Sequence, residues 1–259
     1  MRPLAELDAR GVRAVLVDID DTLTTEGKLT AEAYGALERL QGAGLRVVPV
    51  TGRPAGWCDH IARMWPVDAV VGENGAFYFC YSDNRLHKRF HDDAPTRARK
   101  RARLDAIGAR ILAAVPGSAL ASDQAYRETD LAIDYCEDVA PLPLSAAERI
   151  AGLMRGAGLT AKVSSIHVNG WFGEYDKLAM TRRLFAERFA LDLDAANGEI
   201  VFAGDSPNDA PMFDFFANSV GVANVRRFAA ALETAPKYVT RGACGSGFAE
   251  LAEHVLRGR

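Results

Sequence analysis

The chain has 259 residues, of which 49% are hydrophobic and 25% charged, and its 31 Lys and Arg against 34 Asp and Glu give a formal net charge of −3. This is the balance of a soluble globular protein long enough for a core and a second, smaller domain. It excludes a general polyanion binder such as a nucleic-acid-coating protein, which needs a basic surface, and no apolar run reaches the ~20 residues of a membrane helix.

In chain order, the first strong element is Ala14-Val-Leu-Val-Asp-Ile, a short apolar, β-branched run that stops at a carboxylate cluster. Such a run predicts a strand buried on both faces of a parallel sheet. A helix pattern follows from Thr30 to Ala43, with Thr30 as N-cap and Tyr34, Leu37 and Leu40 on its apolar face. A second buried strand, Leu45-Arg-Val-Val-Pro-Val, ends at Thr51-Gly52-Arg53-Pro54. Then come a helix through Cys58 to Trp65 and a third strand at Asp68-Ala-Val-Val-Gly. This β-α-β-α-β rhythm predicts an α/β fold with a doubly wound, Rossmann-like parallel sheet.

The rhythm changes after Gly75. Ala76–Tyr81 and Arg85–Phe90 flank Ser82-Asp-Asn and read as a hairpin, and a basic helix follows from about Thr96 to Ala114. Strands are expected at Asp130–Tyr135 and Ala161–Val168, with a helix between them that starts at Ser145 and is capped by a box with Glu148. Antiparallel strands mixed with helices predict a separate α+β unit, residues 81–170, inserted into a core made of residues 1–80 and 171–259. The parallel rhythm resumes with helix Lys177–Ala190, strand Glu199–Asp205, helix Asn208–Ala217, strand Ser219–Val222 and a last helix Gly247–Arg257. Cys58, Cys80, Cys136 and Cys244 are far apart and predict reduced thiols, without zinc. With no signal-like start, a cytoplasmic protein is expected.

Ligands bind at the carboxyl ends of strands in open α/β sheets. Three strands here end in functional groups: Asp18-Ile-Asp20-Asp-Thr22, Thr51-Gly52-Arg53, and Gly204-Asp205-Ser-Pro-Asn208-Asp209. In a parallel sheet they converge on one crevice, where Asp18, Asp20, Asp205 and Asp209 together call for a cation or protons to offset their charge. All-oxygen donors suit Mg²⁺. Lys177 would add a fixed positive charge for a phosphate. Asp18 would attack phosphorus, and Asp20 would protonate the leaving oxygen and then take a proton from water. Thr51, Gly52, Lys177 and Asn208 would hold phosphoryl oxygens, with Asp205 on the metal directly and Asp209 acting from behind it.

These motifs, Asp18-x-Asp20-x-Thr22, Thr51 at a strand end, Lys177, and Gly204-Asp205-x-x-Asn208-Asp209, resemble in order those of the haloacid dehalogenase (HAD) superfamily. The resemblance implies an Mg²⁺-dependent phosphatase acting through an aspartyl-phosphate, with the backbone carbonyl of Asp20 as a further metal ligand. An insertion between the second and third motifs resembles the type II cap of the sugar-phosphate branch, as do Glu73-Asn-Gly-Ala and the segment from Ile166 to Lys177. The expected partner is therefore a small phosphorylated metabolite, a sugar phosphate above all; a phosphomutase and a non-catalytic sugar-phosphate-binding protein stand as alternatives. Asp21 departs from the Gly common in that branch. Arg53 reads as a substrate contact or as a cap on the crossover. Glu73 and Asn74 read as cleft residues or a plain turn. Ser165, His167 and Asn169, at period-2 spacing, read as a substrate-facing or a solvated strand face, and Asn169-Gly170 alternatively as a hairpin turn. Oligomeric state is not legible.

Overall fold

Six parallel strands form the central sheet of the computed structural model, in the order Arg2–Pro3, Tyr238–Val239, Asn218–Gly221, Ile200–Gly204, Ala14–Val17 and Arg46–Pro49. The structure describes residues 1–164 and 166–259, so the expectation on Ser165 lies outside the described residues. Alternation along Ala14–Val17 explains why the run is apolar throughout. Val15 and Val17 face one core, with Leu37, Leu40 and Phe248; Ala14 and Leu16 face the other, with Phe185, Phe202 and Phe213. Helices Ala31–Gly42, Ala55–Met64 and Cys244–Arg257 cover the first face, and Lys177–Phe189 and Ala210–Phe215 the second. Thr30 caps its helix as expected, its hydroxyl accepting from the Ala33 amide at 3.2 Å.

A single parallel bridge, Val50 to Val71, joins this sheet to Val70–Gly72. That strand pairs antiparallel with Phe77–Ser82, which pairs with Arg85–Phe90 across a turn whose Asp83 and Asn84 have φ of 53° and 58°. Two left-handed residues make the tight turn whose twist matches a hairpin. The hairpin stays with the core: Phe77 and Phe79 are fully buried in the first apolar cluster, with Phe90 packed on it. From this hairpin the chain passes to helix Ala94–Ala114, whose apolar side chains belong to a different cluster.

The inserted unit has its own antiparallel sheet, in the order Thr160–Val163, His167–Trp171, Asp130–Asp134 and Ala119–Leu120. Helices Ala94–Ala114 and Leu144–Gly156 cover it, and their Leu104, Ile111, Ile150 and Met154 share a third apolar cluster with Leu131, Ile133 and Val168. Three expectations fail here. Ala161–Val168 is not one strand: the chain turns after Val163, where the Ser164 hydroxyl accepts from the His167 amide at 3.0 Å and the Ser164 amide donates to His167 O at 2.8 Å. Asn169 and Gly170 lie inside the ladder, opposite Ala132 and Leu131, and make no turn. The box at Ser145 and Glu148 does not form, since the helix starts one residue earlier behind Pro143 and has no side-chain cap. In the core, Pro207–Asp209 is a separate 3-10 turn ahead of the short helix, and Tyr238–Val239 and, at the edge, Arg2–Pro3 extend the sheet with strands that sequence did not announce. Among the described residues, no helix is long and apolar enough to cross a membrane.

Candidate active site

Adjacent, in-register strands deliver the carboxylates. Val17 pairs with Ala203, and the Asp18 amide donates to Ala203 O at 2.9 Å, so Asp18 and Asp205 leave neighbouring strand ends together. The next turn folds back on itself: Asp209 Oδ2 accepts from the Asp205 amide at 3.1 Å. Gly204 permits that return, since a Cβ there would lie 2.4 Å from Asp209 Oδ2. Lys177 opens helix Lys177–Phe189 behind the N-cap Asp176, whose carboxylate accepts from the Ala179 amide. Its ammonium reaches inward, 2.7 Å from Asp18 Oδ1 and 2.8 Å from Asp209 Oδ1, and all three side chains are buried. Asn224 Nδ2 holds Asp205 Oδ2 at 3.0 Å and also donates to Asp21 O at 2.9 Å, while the Thr22 hydroxyl approaches Asp205 Oδ1 at 3.4 Å.

Charge in this floor is unbalanced. Asp18, Asp205 and Asp209 bring carboxylate oxygens within 4.8 Å of one another, against one ammonium. Burial, with the charges of Asp209 and Asp18 behind it, pushes Asp205 up to about 9. Burial likewise raises Asp18, Lys177 opposing it and Asp209 and Asp20 adding to it. Lys177 is held protonated by Asp18 and Asp209, which outweigh its burial. A buried set of oxygen donors with surplus negative charge fits a hard divalent cation.

Above this floor is a narrow cleft of about 20 Å³, lined on the core side by Asp18, Asp20, Gly52, Arg53, Asn74 and Asn208, and on the side of the insertion by Arg127, Ser164, His167 and Asn169. Arg53 spans it. Nε and Nη2 donate to Asp20 Oδ1 at 2.9 and 2.8 Å, Nη2 lies 3.0 Å from Glu137 Oε1 in the insertion, and the guanidinium stacks on Trp57. His167 Nε2 lies 2.8 Å from Glu137 Oε2; that contact, then Arg53, holds the Glu137 carboxyl down at about 2. Thr51 is fully buried, its hydroxyl accepting from the Arg53 amide at 3.0 Å. The Asn74 amide lies over Gly52, and its Nδ2 is buried without a partner, a donor free for a ligand. On the far side of Asp20 and Arg53, a larger groove of about 860 Å³ runs between Trp57, Met64 and Tyr126.

The structure thus brings Asp18, Asp20, Gly52, Arg53, Asn74, His167, Asn169 and Asn208 to one cleft, with Lys177, Asp205 and Asp209 beneath it and Thr51 behind. Glu73 is not among the lining residues. It is fully buried, and its carboxylate is occupied by backbone donors on both sides of the domain seam. Asn169 is also committed in part, Nδ2 donating to Asp130 Oδ2 at 3.0 Å. Sequence reasoning passed over Arg127, Glu137 and Asn224. Of these, Asn224 was findable: it lies just past the carboxyl end of strand Asn218–Gly221, where the strand-end rule looks.

Comparison with known proteins gives the family. The sequence profile of haloacid dehalogenase-like hydrolases matches residues 15–96. A phosphoglycolate phosphatase of Pyrobaculum neutrophilum is 31% identical over 253 residues, covering 96% of this chain and 97% of that one. Among solved structures, protein 0175 of Thermoplasma acidophilum superposes with a TM-score of 0.70 at 18% identity, over 95% of this chain and 98% of that one. The HAD subclass IIB sugar phosphatase BT4131 superposes with a TM-score of 0.63 at 14% identity, over 94% and 98%. The chain belongs to the haloacid dehalogenase-like hydrolases, and within them to the phosphatases that cleave phosphoric monoesters.

Proposed function

We propose that the protein is an Mg²⁺-dependent phosphatase of a small anionic monoester, with phosphoglycolate as the favoured substrate. The observation that carries the reading is the Lys177 ammonium fixed between Asp18 and Asp209 at the floor of the cleft. The relatives named for phosphoglycolate support the substrate, and so do the cationic Arg53 and Arg127 beside the cleft. A cleft of about 20 Å³ has room for roughly one water. In this reading the insertion, a cap over residues 94–171, swings away to admit the phosphate ester and closes again. The four cysteines, none of them in a disulfide, suit a cytoplasmic setting.

In this reading Asp18 attacks the phosphorus and forms an aspartyl-phosphate. Asp20 gives a proton to the leaving oxygen and takes one from the water that hydrolyses the intermediate. Substrate binding frees Asp20 for this by drawing Arg53 towards the incoming anion. Lys177, the Thr51 hydroxyl, the Asn74 amide and backbone N–H groups at Gly52 hold phosphoryl oxygens. Bound Mg²⁺ supplies neutralisation of the transferring group; Asp18, Asp205 and the Asp20 carbonyl would hold it, with Asp209 behind.

A phosphate-release screen with and without Mg²⁺ tests this reading. Phosphoglycolate is expected to lead the panel and EDTA to abolish release. A sugar phosphate turned over faster would shift the substrate, and phosphate transfer between sugar positions with little release would indicate a mutase. Metal also leaves a mark on stability. The folded-state pKa of Asp205 is raised, so its favourable contribution is complete below its ordinary value near 3.8 and is lost as pH rises towards about 9. Near neutral pH the ionised group is a burden that a cation relieves. Mg²⁺ is expected to raise the Tm of the wild type, and Asp205→Asn to raise the metal-free Tm while removing the gain on adding Mg²⁺. An equal Mg²⁺ gain in the variant would count against Asp205 as a ligand.

A further inference from the structure

The turn Glu73–Gly75 touches the Thr51–Arg53 loop, the Asp176–Lys177 backbone and the cap. Glu73 and Asn74 have left-handed backbones, φ 43° and 56°, which residues other than glycine seldom adopt. That conformation lets the Glu73 amide donate to Arg53 O and the Asn74 amide to Thr51 O, both at 3.1 Å, tying the turn to the phosphate loop. Gly75 lies against the Asp176–Lys177 backbone.

The Glu73 side chain points the other way, across the seam between core and cap. Oε1 accepts from the Ala55 amide of the core and the Glu128 amide of the cap, both at 2.9 Å. Oε2 accepts from the Thr129 amide at 2.6 Å and from the Thr129 hydroxyl. Next to them Arg127, itself held by Asp123 and Asp130, donates Nη1 to Gly52 O at 3.0 Å. One cap segment, residues 127–129, therefore bonds both the turn and the carbonyl of the phosphate loop.

We infer that Glu73 is a positioning residue that latches the closed cap: its carboxylate gathers the Glu128 and Thr129 amides and seats Arg127 on Gly52, so that cap closure and order in the phosphate loop are one event. Opening the cap takes from this carboxylate three of its four donors at once, because all three belong to the adjacent residues Glu128 and Thr129. The latch thus has a made and a broken state with little between. The inference rests on the phosphatase activity and not on which monoester is the substrate.

Glu73→Gln and Thr129→Val test it from the two sides of the seam. Glu73→Gln keeps the volume and turns one acceptor into a donor that faces N–H groups. It is expected to lower kcat/KM for phosphoglycolate on the order of tenfold to a hundredfold, chiefly through KM, as loss of a charged hydrogen bond implies. Hydrogen exchange at the Glu128 and Thr129 amides should quicken. Thr129→Val should do the same more weakly, and the double variant should lose less than the sum of the two. A wild-type KM in Glu73→Gln, strictly additive losses, or unchanged exchange at those two amides would overturn the latch. If Glu73→Gln does not fold, Thr129→Val decides alone: raised KM with faster local exchange and unaltered Tm supports it, a wild-type KM refutes it. Absence of phosphate release by the wild type would count against the substrate reading, while amide exchange would still decide the latch.

Discussion

Asp18→Asn is expected to abolish phosphate release, by on the order of a thousandfold or more, while leaving the fold intact. The side chain is nearly isosteric, and its neighbours keep their places: the Asp18 backbone amide still donates to Ala203 O, and Lys177 still pairs with Asp209 at 2.8 Å. What disappears is the anionic oxygen 2.7 Å from the ammonium, the one that would bond to phosphorus. Burial already disfavours charge on Asp18, with Asp209 and Asp20 adding to this, so the amide removes repulsion as well as reactivity. The metal-free variant is accordingly expected to melt at or above the wild-type Tm. Steady-state release measured beside thermal unfolding separates the two effects. A variant that keeps a substantial part of its activity would remove Asp18 from the chemistry.

The second large effect is on stability. Gly75→Ala is expected to destabilise the protein by about 3 kcal/mol or more, because strained backbone and steric overlap coincide at one atom. Gly75 has φ 101°, and a Cβ there would lie 2.0 Å from Asp176 O and 2.8 Å from the Lys177 amide nitrogen. Neither of those atoms is the end of a flexible side chain. To make room, the start of helix Lys177–Phe189 must retreat, carrying Lys177 away from Asp18, so kcat should fall with Tm. Gly152→Ala is the matched control. Gly152 lies inside helix Leu144–Gly156, with nothing within 4 Å of its would-be Cβ. Alanine there should stabilise by about 0.5–1 kcal/mol. Urea unfolding of both variants checks the contrast, and equal, small effects would contradict it.

The carboxylate floor of the cleft was legible because its signal is local. Buried parallel strands must be apolar and β-branched, so Ala14–Val17 and Ile200–Gly204 announce themselves, and the carboxylates follow at their ends. Lys177 was legible by its place before an apolar helix pattern. The seam between the domains was not. Arg127 and Glu137 sit in loops of the cap, and they reach Gly52 and Arg53 only through the docking of one domain on the other. Glu73-Asn-Gly signalled a turn near the site, but not that Asn74 would face the cleft while Glu73 turned its back on it. The turn at Ser164 was hidden for another reason. It contains neither Gly nor Pro, and a serine hydroxyl does the work those residues usually do. In the sequence the apolar–polar alternation slips by only one residue, at Ser164-Ser165, and resumes at Ile166.

Covalent capture is the most direct test of Asp18 as nucleophile. Enzyme mixed with Mg²⁺ and a phosphate-labelled monoester, then quenched in acid within one turnover, should carry label that hydroxylamine removes, as an acyl phosphate requires. Peptide mapping should place it at residue 18, and Asp18→Asn should carry none. Label at another residue, or full turnover with no labelled protein at any quench time, would contradict an aspartyl-phosphate at Asp18.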